Sequence, residues 1–189
     1  MEYYDEKVIE LRQKEKEKGY TTLETGIYVN RELVEFESEQ LFDEQVELVL
    51  PTSFIDMPQA IAKVKYPSEY RPPVIKTSLD GAANFTFNMF DILVEGADGL
   101  EELSAHFQLV LKQVNPVIKI HDYGEMICED RLYRIFSYKS YGLDMQMYNL
   151  ICVTPIKNKI LQACFNCPYE ERELWDGIAQ QIFLTMRTK

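Results

Sequence analysis

Met145 to Asn166 reads MQMYNLICVTPIKNKILQACFN, and this stretch decides the architecture. Met145, Met147, Ile151 and Val153 recur with period two and mark one inner face. Leu161, Ala163 and Phe165 do the same for a second run, and Pro155–Asn158 separates the two. Alternation of this kind, interrupted by turn residues, is the pattern of antiparallel strands joined by a hairpin. Extended backwards to Val117, the same reading gives a four-strand meander, with turns at Cys128–Arg131, Ser140–Leu143 and Pro155–Asn158. Forwards, Pro168 is a favourable first helical residue, and Glu170, Glu171 and Glu173 suit the positive end of a helix. Trp175, Ile178, Ala179, Ile182 and Met186 would form the buried stripe of that last helix.

Upstream of the meander, Asp98 with Glu101 reads as a capping box. Leu100, Leu103, Phe107, Val110, Leu111 and Val114 then fall on one helical face, and Pro116 ends the segment. Strands are expected at Val74–Ser78 and Ala83–Met89, with Asp80-Gly81 as the turn between them. Asp56 with Gln59 predicts a short helix reaching about Lys65, and the three prolines of 66–73 force an extended or turning path. In 24–50, Val34 and Phe36, then Val46, Leu48 and Leu50, alternate with charges and predict two half-buried strands. Residues 5–18 are dense in Glu, Lys and Arg and stop at Gly19, so 1–20 is expected to be a charged helix appended to a single domain of 21–189.

Strand runs joined by hairpins, rather than strict strand–helix alternation, predict an α+β fold: an antiparallel sheet of about 6–8 strands flanked by helices. An apolar fraction of 46% supports a full hydrophobic core without a metal or disulfide staple. The formal charge of −11 opposes binding to nucleic acid or to anionic lipid, both of which need Lys and Arg. No apolar run reaches the ~20 residues of a membrane helix, and the N-terminus lacks a basic start followed by an apolar stretch. A cytoplasmic location is the expectation that follows.

Leu50-Pro51-Thr52-Ser53-Phe54 steps out of an early strand, a long helix follows at mid-chain, and the meander comes next. Phe165-Asn166-Cys167-Pro168 then leads into a closing helix that contains Trp175 and Ile178-Ala179-Gln180-Gln181-Ile182. This layout, from about Val34 to Lys189, resembles the PsbP-like α/β/α sandwich, a superfamily shared by a photosystem extrinsic subunit, a nuclear Ran-GTPase-binding factor and DcrB-type bacterial proteins. The stretch from Ala62-Lys63-Val64-Lys65-Tyr66-Pro67 to Arg71-Pro72, with Asp80-Gly81 and Asn84-Phe85, looks like uncharacterised bacterial members of that group. The resemblance implies a non-enzymatic accessory or protein-interaction role and transfers no catalytic residue.

Cys164-Phe165-Asn166-Cys167 has the C-x₂-C spacing of zinc sites and redox dithiols. Cys128 and Cys152 are the only further thiols; a two-residue loop near Lys157-Asn158 would put Cys152 and Cys164 on opposite faces, whereas a three-residue loop would allow them to share one. Structural, reduced cysteines are therefore expected. His106 and His121 have no ligand or triad partner at a telling spacing. No Walker loop, G-x-S-x-G, S-x-x-K, G-x-G-x-x-G or H-E-x-x-H occurs, so no catalytic residue, metal or cofactor is assigned. Eight carboxylates between Glu24 and Glu47 read as a solvated face.

One segment departs from its acidic surroundings. Between Glu32 and Leu111 the only lysines and arginines are Lys63, Lys65, Arg71 and Lys76, within fourteen positions and interleaved with Tyr66, Tyr70 and three prolines. Stiff backbone, aromatic rings and an Arg fork make this the expected docking surface for another protein with an acidic or phosphorylated surface. The bland alternative is that the lysines are helix-end charges and Arg71 ties down a loop. A pocket between sheet and helix for a small molecule or anion, with weakly marked hydrolase chemistry as its extreme, is the second functional reading.

Overall fold

A computed structural model describes residues 2–141 and 145–188. The chain opens with α1 (Glu2–Glu17), whose sparse aliphatics Val8, Ile9 and Leu11 all remain exposed. Strands β1 (Thr21–Thr22), β2 (Gly26–Val29) and β3 (Glu32–Val34) form a small antiparallel sheet, and β4 (Phe36–Leu41) pairs with β5 (Val46–Pro51) beside it. Then come β6 (Ile55–Asp56), α2 (Gln59–Lys65), β7 (Val74–Thr77) and β8 (Asn84–Phe90). The long α3 (Gly96–Val114) precedes the meander β9 (Ile120–Cys128), β10 (Arg131–Tyr141), β11 (Gln146–Ile156) and β12 (Lys159–Pro168). A 3₁₀ turn (Tyr169–Glu171) leads into α4 (Arg172–Leu184), and β13 (Arg187–Thr188) returns to pair with β5.

The main sheet has seven antiparallel strands in the order β6-β7-β8-β12-β11-β10-β9. Its two faces carry separate cores, because successive side chains of each strand point to opposite sides. Ile151, Val153, Phe136 and Ile160 face α3, which contributes Leu100, Leu103, Phe107 and Leu111. Phe85, Phe87, Leu150, Leu161, Ala163 and Phe165 face α4 and the β4-β5-β13 sheet, against Trp175, Ile178, Ala179, Ile182 and Leu48. Helix, sheet, then helix plus small sheet: this is an α+β three-layer sandwich. None of the described helices is long and apolar enough to cross a membrane.

The turns follow from local chemistry. Glu129 and Asp130, both at positive φ, close β9–β10 as a two-residue loop, and Lys157-Asn158 closes β11–β12 with Ile156 opposite Lys159. The turn expected at Ser140–Leu143 runs into residues 142–144, outside the described residues.

Neither capping box survives. α3 starts earlier, with Glu95 as N-cap and Asp98 inside its first turn, and Pro58 rather than Asp56 precedes α2. Asp56 instead ends β6 opposite Lys76. Val110 and Val114 also leave the buried stripe of α3; both are exposed, because the row through Leu100, Leu103, Phe107 and Leu111 meets the sheet. Residues 24–50 hold four strands rather than two, since Glu35 interrupts the run between Val34 and Phe36 and Gly26–Val29 adds a strand that pairs with β3.

Candidate functional site

The basic segment is built on a short helix and a proline-stiffened loop. Pro58, at φ −54° and ψ 135°, brings the chain into α2 from an extended approach. Ala62 is the buried residue of that helix and packs with Met57, Ile75 and Tyr66 in a small satellite core. Lys63 and Lys65 fall in the last turn, where a cation suits the partial negative charge of the helix end. A relay of side-chain hydrogen bonds holds the helix end to the sheet. Asn166 donates to the Tyr66 hydroxyl at 3.1 Å, Asn84 donates to Asn166 at 3.0 Å, and Thr77 donates to Asn84 at 2.8 Å.

The six residues of the segment have different fates. Lys76 is buried inside β7 and its ammonium is ion-paired with Glu39 and Asp56. Burial pulls its pKa down, but the hydrogen bonds and charges of those carboxylates outweigh burial and the net shift is upward. Its charge is therefore used internally, between the main sheet and β4. Lys65 reaches across to donate to the Gly81 carbonyl at 2.5 Å, and burial lowers its pKa while Asp80 pulls the other way. Arg71 donates from Nε to the Tyr66 carbonyl at 3.1 Å and so ties the loop to the helix end. Tyr66 is half-buried in the relay, whereas Lys63 and Tyr70 point into solvent.

Three apolar neighbours share that exposure, and none of them stood out in the sequence. Ile61 and Val64 lie one turn apart on the outward side of α2, and Val64 is 82% exposed. Leu79, in the turn that Lys65 reaches, is 78% exposed, and Tyr70 is 92% exposed. A signal was available: Ile61, Ala62 and Val64 span more than one face of a short helix, so only part of that set could be buried.

The other candidate residues are placed clearly. Cys164 and Cys167 lie three apart on β12, so they project to opposite faces: Cys167 enters the α4-side core and Cys164 the α3-side core. Burial pushes both thiols up to about 12, with Glu171 and Asp176 adding to the effect at Cys167. Cys152 pairs with Ala163 and faces α4, on the opposite face from Cys164. His106 is exposed on α3, and exposed His121 meets the Tyr123 ring edge-on at 4.6 Å.

The layer order and strand order define the class: this chain has the PsbP-like α/β/α sandwich fold. It is similar to cyanobacterial PsbP of Synechocystis, with a TM-score of 0.61 at 11% identity, over 87% of this chain and 98% of that one. The Ran-binding protein Mog1p of Saccharomyces cerevisiae superposes with a TM-score of 0.53 at 11% identity, covering 82% and 96% of the two chains. LpqN of Mycobacterium tuberculosis, described as involved in cell envelope biogenesis, matches with a TM-score of 0.50 at 11% identity over 90% and 99%. At such identities the likeness is one of fold. No family model and no curated protein sequence matches the chain.

Proposed function

We propose that this chain is a non-catalytic protein-interaction domain that docks an acidic protein partner on α2 and the loop that follows it. The carrying observation is the group Ile61, Val64 and Tyr70, large apolar side chains left facing water on a segment anchored from behind by Ala62 and Tyr66. Apolar anchors on a rigid support are what an interface core needs, with little ordering entropy lost on binding. Lys63 and Lys65 flank them on a chain of net charge −11, and this local complementarity selects the partner's sign. That Mog1p, a protein of the same fold, is Ran-binding supports a docking role for this scaffold.

The test places a photo-crosslinking residue at Val64 or Tyr70 in the full chain, with Leu109 on α3 as the control site. Mass spectrometry then names the partner, and titration with that purified protein measures affinity. The variants Val64→Asp and Lys63→Glu should weaken binding by about tenfold or more while leaving the melting temperature unchanged. Lys65 and Arg71 are kept intact, because both hold the loop in place. Equal crosslinking from Leu109, or unchanged affinity in both variants, would overturn the assignment.

A further inference from the structure

On the α4 side of the main sheet, toward its β9–β10 edge, four basic side chains from three separate segments line one cavity of about 230 Å³. Lys119 immediately precedes β9 and His121 lies at its start, Lys139 comes from β10 and Arg172 from the first turn of α4. Tyr148, which is buried, also contributes to the lining. Its hydroxyl donates to Asp176 at 2.5 Å, and that carboxylate also accepts from Tyr123 and Gln180, so three donors hold it outside the lining.

Among the described residues no carboxylate lines the cavity beside these basic groups. Lys139 has no carboxylate partner among the described residues; its ammonium sits 3.9 Å from the centroid of the Tyr169 ring. Arg172 lies 5.5 Å from the same ring, and its only ion pair among the described residues is a loose 3.9 Å contact with Glu173, a carboxylate 88% exposed. A ring shared by two cations, favourable to each, offsets part of their mutual repulsion. Lys119 has no partner of any kind among the described residues. On a chain of net charge −11, basic groups converging on one concavity make a local focus of positive potential.

We propose that this cavity binds a small phosphomonoester. Two lysines, an arginine fork and an imidazole supply donors for a dianion with three equivalent oxygens; a single carboxylate would leave much of that charge unmatched. The cavity is smaller than the ~300 Å³ at which sites for drug-sized ligands begin, so the organic part is short and extends past exposed Val117 and Tyr141 at the mouth. This site is independent of the α2 surface and stands or falls separately from it.

The experiment titrates the ¹⁵N-labelled full chain with phenyl phosphate, inorganic phosphate, benzoate and a phosphotyrosine peptide, and follows the amide signals of Lys139, Tyr169 and Arg172. Phenyl phosphate should produce saturable shifts confined to this end of the sheet, and benzoate should bind about tenfold more weakly or not at all. Lys139→Met with Arg172→Gln should weaken phenyl phosphate at least about tenfold. If that pair disturbs the fold, Lys119→Met, at an exposed position, carries the same expectation with a smaller loss. Absence of saturation, or affinity unchanged in the variants, overturns the site. Inorganic phosphate binding as tightly as phenyl phosphate would reassign it to the free ion. Binding of a phosphotyrosine peptide without binding of phenyl phosphate would reassign it to a protein partner.

Discussion

Tyr66 sits where the end of α2 meets the main sheet, with its ring in the satellite core and its hydroxyl accepting from Asn166. Burial raises its pKa to about 12 against an ordinary 10.0, while the Asn166 hydrogen bond pulls the other way. A folded-state pKa above the unfolded one means that the neutral phenol is favoured in the fold. Its contribution is complete below about pH 10 and is lost as pH rises through about 12. Tyr66→Phe should cost about 1 kcal/mol at neutral pH, from the lost hydrogen bond. It should also make the alkaline loss of stability shallower between pH 10 and 12, as read from urea unfolding at several pH values. An identical alkaline slope would refute the role given to this phenol. Lys76 shows the limit of a linear reading at this scale. Its place among Lys63, Lys65 and Arg71 suggested a shared surface, but β-strand alternation turned it inward, to a carboxylate on β4. Glu39 lies far back in the chain, in a run that read as solvated, so nothing local announced the pair.

At the scale of the element, β9 owes its shape to a bulge. Ile135 pairs with Gly124 and Phe136 with Asp122, which leaves Tyr123 as an extra residue, and Gly124 takes φ +81°. The bulge keeps Tyr123 on the α4 side, where it reaches Asp176, while Asp122 turns to the other face and accepts from Gln108 of α3 at 3.0 Å. An added Cβ at Gly124 meets nothing within 4 Å, so the cost of Gly124→Ala comes from the backbone conformation alone. Roughly 1 kcal/mol is expected, and hence a melting temperature lower by about 2–4 °C. A variant as stable as the parent would mean that the strand can relax out of the left-handed conformation. The strands of the meander and the positions of its β9–β10 and β11–β12 turns were legible because period-two alternation and turn chemistry are properties of neighbouring residues. The helix starts were not, because a capping-box pattern names two residue types and leaves their hydrogen bonds undetermined. Asp56 found a partner across the sheet instead.

The whole molecule is organised around the aromatic cluster that joins α4 to the main sheet. Trp175, the single tryptophan, lies 5.5 Å from the Phe165 ring and 5.8 Å from the Phe54 ring, and Phe54 in turn reaches Phe85. Because α4, the sheet and the residues after β5 share this cluster, tryptophan fluorescence and far-UV circular dichroism should report one coincident unfolding transition. Trp175→Ala should lower stability by about 3–5 kcal/mol in urea titrations. A fluorescence transition well ahead of the circular dichroism would show α4 detaching as a separate unit. At this scale the sequence by itself determined the layer pattern: an antiparallel sheet, a helix on each face and an apolar stripe on each helix. Those features follow from spacing within a segment, which the chain carries wherever it folds. Only the tertiary structure decided which charges stay free. Pairing across the sheet neutralised Lys76, and packing left Val64 and Tyr70 in solvent. The same packing brought Lys119, Lys139 and Arg172 around one cavity from three distant segments. The fate of a charged or apolar side chain depends on which remote residue reaches it first, and that is set by the register between strands rather than by its neighbours in sequence.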